Sequence, residues 1–138
     1  MNRDEFPLPP HSAESEQSVL GALMQAPDAF DSIAGKLDAS MFFNQGNGMV
    51  FRAISDMILE SRPVDVVTVA EDLEGRGQLD NVGGLGYLAE ITHNTPSAAN
   101  IRRYADIVRD RWQTRRLAAA GHEIVSMTDA SMPINEAL

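Results

Sequence analysis

The sequence contains no cysteine and a single lysine among its 138 residues. The lack of cysteine excludes disulfides, thiolate zinc sites and thiol nucleophiles, and it agrees with a reducing compartment. The lysine, Lys36, is followed by Leu37 rather than by serine or threonine, so the chain lacks a phosphate-binding loop of the glycine–lysine–hydroxyl type. We therefore expect no nucleotide-hydrolysing motor in this chain.

Targeting and metal-binding patterns are missing as well. Residues 1–7 lack the apolar core of a secretory signal, and no apolar run approaches the roughly 18 residues of a membrane span, which predicts a cytoplasmic protein. The histidines His11, His93 and His122 are too widely spaced for a metal-ligand cluster, and no serine has the context of a catalytic nucleophile. The sequence thus predicts no catalytic residue, no metal ligand and no cofactor-binding residue.

Charge is unevenly distributed along the chain, which carries 11 basic and 20 acidic residues. Residues 1–99 hold five of the basic and fifteen of the acidic residues, whereas residues 100–116 hold six arginines and two aspartates. Such asymmetry indicates a polar partner surface or complementary contacts between copies. A second interpretation is that the arginines keep an exposed helix in solution. Direct binding of nucleic acid is a weaker alternative, because the acidic remainder repels phosphate.

Apolar residues recur at helical spacing through most of the chain. Ser12 is expected to cap the first helix, and Pro27 to begin a short second one. The second helix would bury a stripe at helical spacing, formed by Phe30, Ile33, Ala34 and Leu37. The segment 44–48, rich in glycine and asparagine, is typical of a helix break.

Three further helices follow, with apolar positions at 49–58, at 66–73 and at 85–91. Asp65 is expected to cap the second of these. Its β-branched run 64–69 would also fit a strand, but the continuation into 70–74 and the lack of a partner strand favour a helix. Glycines at 75 and 77 should end it.

The longest predicted helix runs from Ala98 to Thr128 without a proline. About 30 residues far exceeds the mean helix length of about 11–12, so part of this helix should project from a small core. Trp112 would be costly to leave in water, so we expect it in a contact. The chain as a whole predicts an all-α fold. Its parts are an extended proline-rich arm over 1–11, a globular helical head over 12–96, and a long helix over 97–138 that begins a truncated helical hairpin, with a second arm opening at 134.

Several segments, in order and at matching spacing, resemble the N-terminal domain of DnaB-type bacterial replicative DNA helicases. They are the segments 9–21, 63–69, 77–80, 83–90 and 94–109. The segment 94–101, Asn-Thr-Pro-Ser-Ala-Ala-Asn-Ile, followed by Tyr104–Arg109, is the most specific of these. The segment 44–48 departs from the pattern, since relatives often carry histidine and a firmer helix start there.

The resemblance implies an all-helical domain without catalysis of its own. In the family, helical hairpins pair into dimers, and a trimer of dimers forms a collar that docks primase. The collar sits on motor domains that bind ATP and magnesium and move 5'–3' along single-stranded DNA. The implied partners are therefore other copies of the chain, primase, and single-stranded DNA through the full-length ring. A helicase loader is a further partner that the resemblance suggests.

The resemblance and the helical pattern together assign three sets of residues. Pairing between copies is expected at Ile101, Tyr104, Val108, Trp112 and Leu117. Contacts between protomers are expected from Arg109, Arg111, Arg115 and Arg116. Primase docking is expected at Glu14 and Tyr87. For each residue, ordinary packing or solvation is the competing interpretation. The alternative functions are a stand-alone nucleic-acid-binding module that uses the arginine-rich helix, and a small helical enzyme.

Overall fold

The computed structural model describes residues 8–129, and every regular element among them is helical. The six α-helices are α1 (Ala13–Gln25), α2 (Gln45–Leu59), α3 (Val66–Gly75), α4 (Leu79–Val82), α5 (Gly84–Asn94) and α6 (Ile101–Asp129). Short 3-10 helices cover Pro27–Ser32, Ala39–Met41 and Ala98–Asn100. The all-α prediction is confirmed. The helix expected to open at 134 lies outside the described residues. None of the helices in residues 8–129 is long and apolar enough to cross a membrane.

Helix α1 is the centre of the head and packs on both α5 and α6. The Ser12 hydroxyl accepts the N–H of Ser15 at 3.2 Å, so the predicted N-cap is confirmed. Leu20 and Leu23 on this helix are fully buried. The close approach of α5 depends on Gly21, because a Cβ there would lie 2.6 Å from the carbonyl oxygen of Ile91.

The predicted second helix, with an apolar stripe as far as Leu37, is wrong in length and in type. Only the 3-10 helix Pro27–Ser32 forms, and Ala34 is exposed. Gly35 adopts a φ of 83°, a left-handed conformation that interrupts a helical path and that glycine adopts without strain. The turn brings Leu37 back to the core beside Ile33. Apolar residues four positions apart therefore face the core here because the chain turns at Gly35, and not because it forms a helix.

The segment 44–48 is not a helix break, because α2 begins within it. The Asn44 side chain accepts the N–H of Asn47 at 2.9 Å and caps the helix. A Cβ on Gly48 would lie 2.7 Å from the carbonyl oxygen of Ala39. Gly48 therefore permits the 3-10 helix Ala39–Met41 to pack closely against α2, and its presence reflects packing.

The β-branched run forms α3, as predicted. Asp65 and Thr68 form a capping box, in which each side chain accepts the backbone N–H of the other at 2.8 Å. Val69 and Leu73 face the core, whereas Val67 is exposed. The capping box starts a helix where residue propensity alone would also allow a strand.

Helix α6 has 29 residues, which corresponds to a length of about 43 Å. Its first turns belong to the head, because Ile101, Ala105 and Val108 are buried. Trp112 is half-buried against the same core. From Leu117 onward the side chains are mostly exposed, so the predicted projection of this helix is confirmed.

Candidate partner interfaces

The projecting half of α6 carries exposed apolar side chains. Leu117 is 76% exposed, and Ile124 and Val125 are each 56% exposed. Spacings of three and four residues join the members of one stripe, which we call the outer stripe: Leu117, Ala120, Ile124 and Met127. This is the heptad spacing with which one helix packs against another. The outer stripe therefore has the pattern of a helix–helix contact, with no cover from the described residues of this chain.

The outer stripe does not continue the face that packs on the head. At about 100° per residue, Leu117 lies about 140° around the helix from Trp112. Ile101, Ala105, Val108 and Trp112 lie on the head-facing side. Helix α6 thus has two apolar faces. One packs against the head of the same chain, and the other is exposed and points away from the head.

The residues predicted for pairing between copies fall into both groups. Ile101 and Val108 are each 2% exposed and pack the head, so we exclude them from an exposed interface. Tyr104 and Trp112 are half-buried against the head core. The Arg116 guanidinium lies 4.9 Å from the centroid of the Trp112 ring, which shields part of the indole. Of the five predicted residues, Leu117 alone belongs to the outer stripe.

Of the four arginines predicted to contact another protomer, two donate hydrogen bonds to backbone carbonyl oxygens of their own chain. Arg115 donates to the carbonyl oxygen of Pro10 at 2.8 Å and to that of Met41 at 2.7 Å, and its guanidinium lies 5.5 Å from the Phe43 ring centroid. Arg109 donates to the carbonyl oxygen of Lys36 at 3.0 Å. These contacts attach α6 to the head. Both guanidinium groups therefore already donate hydrogen bonds to carbonyl oxygens of the same chain.

The other two arginines, Arg111 and Arg116, remain at the surface. Arg111 pairs with the adjacent Asp110 at 2.8 Å in an exposed contact. Arg116 is exposed beside Trp112. An exposed ion pair of this kind contributes little to stability, so both cations are available to a partner.

We predict that Arg115→Met lowers the free energy of unfolding by about 1–3 kcal/mol, because two hydrogen bonds from a charged group are lost, one exposed and one part-buried. Urea unfolding followed by circular dichroism measures this. The control Arg103→Met, which removes an exposed cation of the same helix, should change the free energy of unfolding by less than about 0.5 kcal/mol. Equal effects of the two substitutions would contradict the assignment of Arg115 as a fastening residue.

The predicted docking residues Glu14 and Tyr87 occupy different surroundings. Glu14 is exposed and lines a cleft of about 280 Å³ between α1, the end of α5 and Tyr104. Tyr87 is half-buried and is not among the residues that line this cleft. Its hydroxyl donates to the Asn47 side-chain oxygen at 2.6 Å. Burial raises the pKa of the Tyr87 hydroxyl, so it stays protonated as a donor.

Glu16 is the residue that sequence reasoning missed. No role is assigned to it from the sequence alone, yet it is 2% exposed. Its carboxylate accepts the N–H groups of Phe43 and Asn44 at 2.8 and 3.2 Å, and the side-chain amide of Asn47 at 3.1 Å. A signal was present, since Glu16 lies four and seven residues before Leu20 and Leu23, on the buried side of α1.

The polar groups around Glu16 and Tyr87 are engaged in packing and hydrogen bonds within the head. Within residues 8–129, no three histidine, aspartate or glutamate side chains are placed to hold a metal ion. In the same range, every buried side-chain nitrogen or oxygen has a hydrogen-bond partner. The buried polar groups are thus committed to the fold, and the exposed features left for a partner are the outer stripe, the surface arginines and the head clefts.

Comparison with known proteins gives consistent matches. The family described as "DnaB-like helicase N terminal domain" matches residues 8–110. The chain is 40% identical over 117 residues to the replicative DNA helicase DnaB of Haemophilus influenzae, covering 85% of this chain and 25% of that protein. It is 38% identical to the DnaB of Mycobacterium leprae, covering 85% of this chain and 19% of that protein. The chain therefore spans about a quarter of the curated relatives it matches, or less.

Solved structures match over nearly the whole chain. The N-terminal domain of DnaB helicase from Mycobacterium tuberculosis superposes with a TM-score of 0.87 at 34% identity, covering 94% of this chain and 92% of that one. A DnaB-like replicative helicase, described with its interactions with primase, superposes with a TM-score of 0.73 at 22% identity, covering 91% of this chain and 30% of that one. The second match supports the fold alone.

Proposed function

The chain belongs to the family of DnaB-like helicase N-terminal domains, and from this premise we propose that it assembles a replicative helicase and docks its partners. The observation that carries the proposal is the projecting half of α6, whose outer stripe is exposed and faces away from the head. In this proposal, ATP and magnesium binding and movement along single-stranded DNA belong to other parts of a longer protein.

Assembly would proceed through the outer stripe. Burial of a leucine or isoleucine side chain contributes about 1.5–3 kcal/mol, and symmetric pairing of two copies doubles each contribution. The pairs would form dimers that close into a ring. Arg111 and Arg116, which border this part of α6, would add contacts between protomers with the acidic heads.

Primase would dock on the head. Glu14 offers an exposed carboxylate in a cleft with mixed polar and apolar lining, to which a basic side chain of a partner would fit. Tyr87 would act indirectly. Its hydroxyl donates to Asn47, and Asn47 donates to Glu16, so Tyr87 would hold in place the part of the head on which primase docks. The choice of primase as the partner follows from the family to which the chain belongs, and one protein with the same fold is described with its interactions with primase.

The experiment is a calorimetric titration of the chain with the primase of the same organism. We expect binding, and we expect Glu14→Lys to weaken it by about tenfold or more, because the substitution reverses a contacting charge. Glu71→Lys, the same reversal at an exposed site on α3, serves as the control. Absence of binding by the unchanged chain would overturn the docking part, and equal weakening by both variants would overturn the role of Glu14.

The hydrogen bonds of the arginines on α6 favour the alternative of a nucleic-acid-binding module less than they favour assembly and docking. Arg109 and Arg115 are engaged by backbone oxygens of the chain, which removes two of the six cations on which that alternative depends. Titration with single-stranded DNA at two salt concentrations separates the functions. Tight binding that falls steeply with salt would favour the alternative.

A further inference from the structure

A groove runs along α2 on the head, on residues that the proposed function does not use. It consists of two adjoining cavities of about 540 and 230 Å³, which share Ala39 and Arg52. The larger cavity meets α2 between Gln45 and Arg52, and the smaller cavity meets it between Phe51 and Leu59. We call the two cavities together the α2 groove. With a helical rise of about 1.5 Å per residue, their centres lie roughly 10 Å apart along α2.

Both cavities have an apolar floor that is partly open to solvent. Phe43 and Met49 line the larger cavity, and Phe30 and Leu37 line the smaller one. Leu37 is buried, whereas the other three side chains are half-buried. Leu59, which also lines the smaller cavity, is 75% exposed. Each cavity therefore offers a place in which an apolar side chain of a partner can be buried.

Arg52 borders both cavities and supplies a positive charge without a counterion. Among the described residues that line the larger cavity, Arg52 alone is charged. It is exposed and forms no ion pair within the part of the chain that the structure describes. The two carboxylates that line the smaller cavity already have partners: Asp56 pairs with Arg76 at 3.0 Å, and Asp38 accepts the N–H of Ser40 at 2.9 Å. The larger cavity thus combines apolar surface with one uncompensated cation, which suits an apolar side chain near a carboxylate.

The separation of the two cavities selects the secondary structure of a partner segment. In an α-helix, side chains at i and i+7 share one face and lie about 10.5 Å apart, with i+3 and i+4 between them. In an extended strand, side chains on one face are separated by about 6.6 or 13 Å. A separation of roughly 10 Å therefore fits two helical positions seven residues apart, and the position between them meets Arg52.

We propose that the α2 groove docks an amphipathic helix of a partner protein, whose apolar face carries one carboxylate. A large apolar side chain fills the larger cavity, a second one fills the smaller cavity, and a glutamate or aspartate between them pairs with Arg52. The pairing is selective, because a chain with 20 acidic and 11 basic residues repels carboxylates except where a free cation compensates. The α2 groove shares no lining residue with the cleft of Glu14, so both sites can be occupied at once.

The test is an NMR titration of the chain with designed helical peptides. One alanine–glutamine helix carries phenylalanine, glutamate and leucine at positions i, i+4 and i+7, and a second helix carries them in the reverse order. We expect at least one peptide to shift the methyl signals of Met49 and Leu59 saturably below about 1 mM. The methyl signals of Ile91, in the cleft of Glu14, and of Ile124, on the outer stripe, should stay unchanged.

Charge selectivity is measured with Arg52→Met, which removes an exposed cation and keeps an unbranched side chain. This substitution should weaken binding of the glutamate peptide by about tenfold. It should change binding of the same peptide with glutamine in place of glutamate by less than about twofold, because no ion pair is lost. Arg102→Met, which removes an exposed arginine of α6 that lines neither cavity, is the matched control and should leave both affinities unchanged.

Each of four results would overturn the proposal. The first is a titration in which neither peptide shifts the Met49 and Leu59 signals. The second is equal affinity for the glutamate and glutamine peptides, which would exclude recognition of a carboxylate. The third is equal weakening by Arg52→Met and Arg102→Met, which would place the charge effect outside the groove. The fourth is a change of the Met49 signal on dilution of the chain alone, which would assign the groove to a second copy.

Discussion

Leu117→Asp combined with Ile124→Asp should abolish self-association of the chain. Both side chains belong to the outer stripe, and each would place a charge where the stripe needs apolar surface. Loss of at least two such contacts costs about 3 kcal/mol or more, which is above a hundredfold in the dissociation constant. Sedimentation equilibrium over a range of concentrations measures the change.

The matched control for this double substitution is Ala119→Asp with Ser126→Asp. These positions have the same separation of seven residues on the same part of α6, and both are exposed. By helical rotation they lie on the side that α6 turns toward the head. They should leave the association constant nearly unchanged. If both doubles weaken association equally, the effect comes from added negative charge, and the outer stripe is not the contact.

The second large effect is expected at Glu16. Glu16→Ala leaves the N–H groups of Phe43 and Asn44 and the side-chain amide of Asn47 without their acceptor. A buried donor left unsatisfied costs about 1–3 kcal/mol, so we expect the free energy of unfolding to fall by about 3–5 kcal/mol. The link between α1 and the start of α2 should loosen with it. Urea unfolding measures the loss.

Glu14→Ala is the control for this substitution, since Glu14 is an exposed glutamate in the same first turn of α1. It should change the free energy of unfolding by less than about 0.5 kcal/mol. Glu16→Gln should lie between the two, because its amide oxygen still accepts hydrogen bonds but its NH₂ group faces other donors. Equal stability of Glu16→Ala and Glu14→Ala would contradict the buried network.

The sequence predicted those parts of the fold that local chemistry decides. Ser12 and Asp65 cap their helices because a side-chain oxygen near the start of an apolar run satisfies the first free N–H groups. The length of α6 also followed, since no proline or strong break interrupts it. Such features depend on neighbours in the sequence, so they can be derived without knowledge of the tertiary structure.

The structural features that the sequence did not predict depend on contacts between segments that are distant in the chain. Gly48 suits a helix interior because Ala39 approaches it, and nothing within 44–48 itself indicates that approach. The contacts that Arg115 makes with Pro10 and Met41, far away in the sequence, were likewise not predicted, and its contact with another protomer stays a prediction. A charged side chain does not reveal from its own position whether its partner lies within the chain or beyond it.

The partition of α6 into two faces also escaped the sequence analysis. The apolar positions Ile101, Val108 and Leu117 were assigned to one pairing surface, because all of them fit a helical period. The structure shows that the period shifts between Trp112 and Leu117, from the head-facing side to the outer stripe. Rotation angles alone would have revealed the shift, but not which face the head covers.

The most direct test of the account measures whether a second copy covers the outer stripe. The chain has no cysteine, so Ala120→Cys and Ala119→Cys each introduce a single thiol, on the stripe and beside it. Maleimide alkylation is followed at low and high protein concentration. The account predicts that the thiol at 120 reacts more slowly as concentration rises, whereas the thiol at 119 does not. Equal, concentration-independent rates at both positions would contradict it.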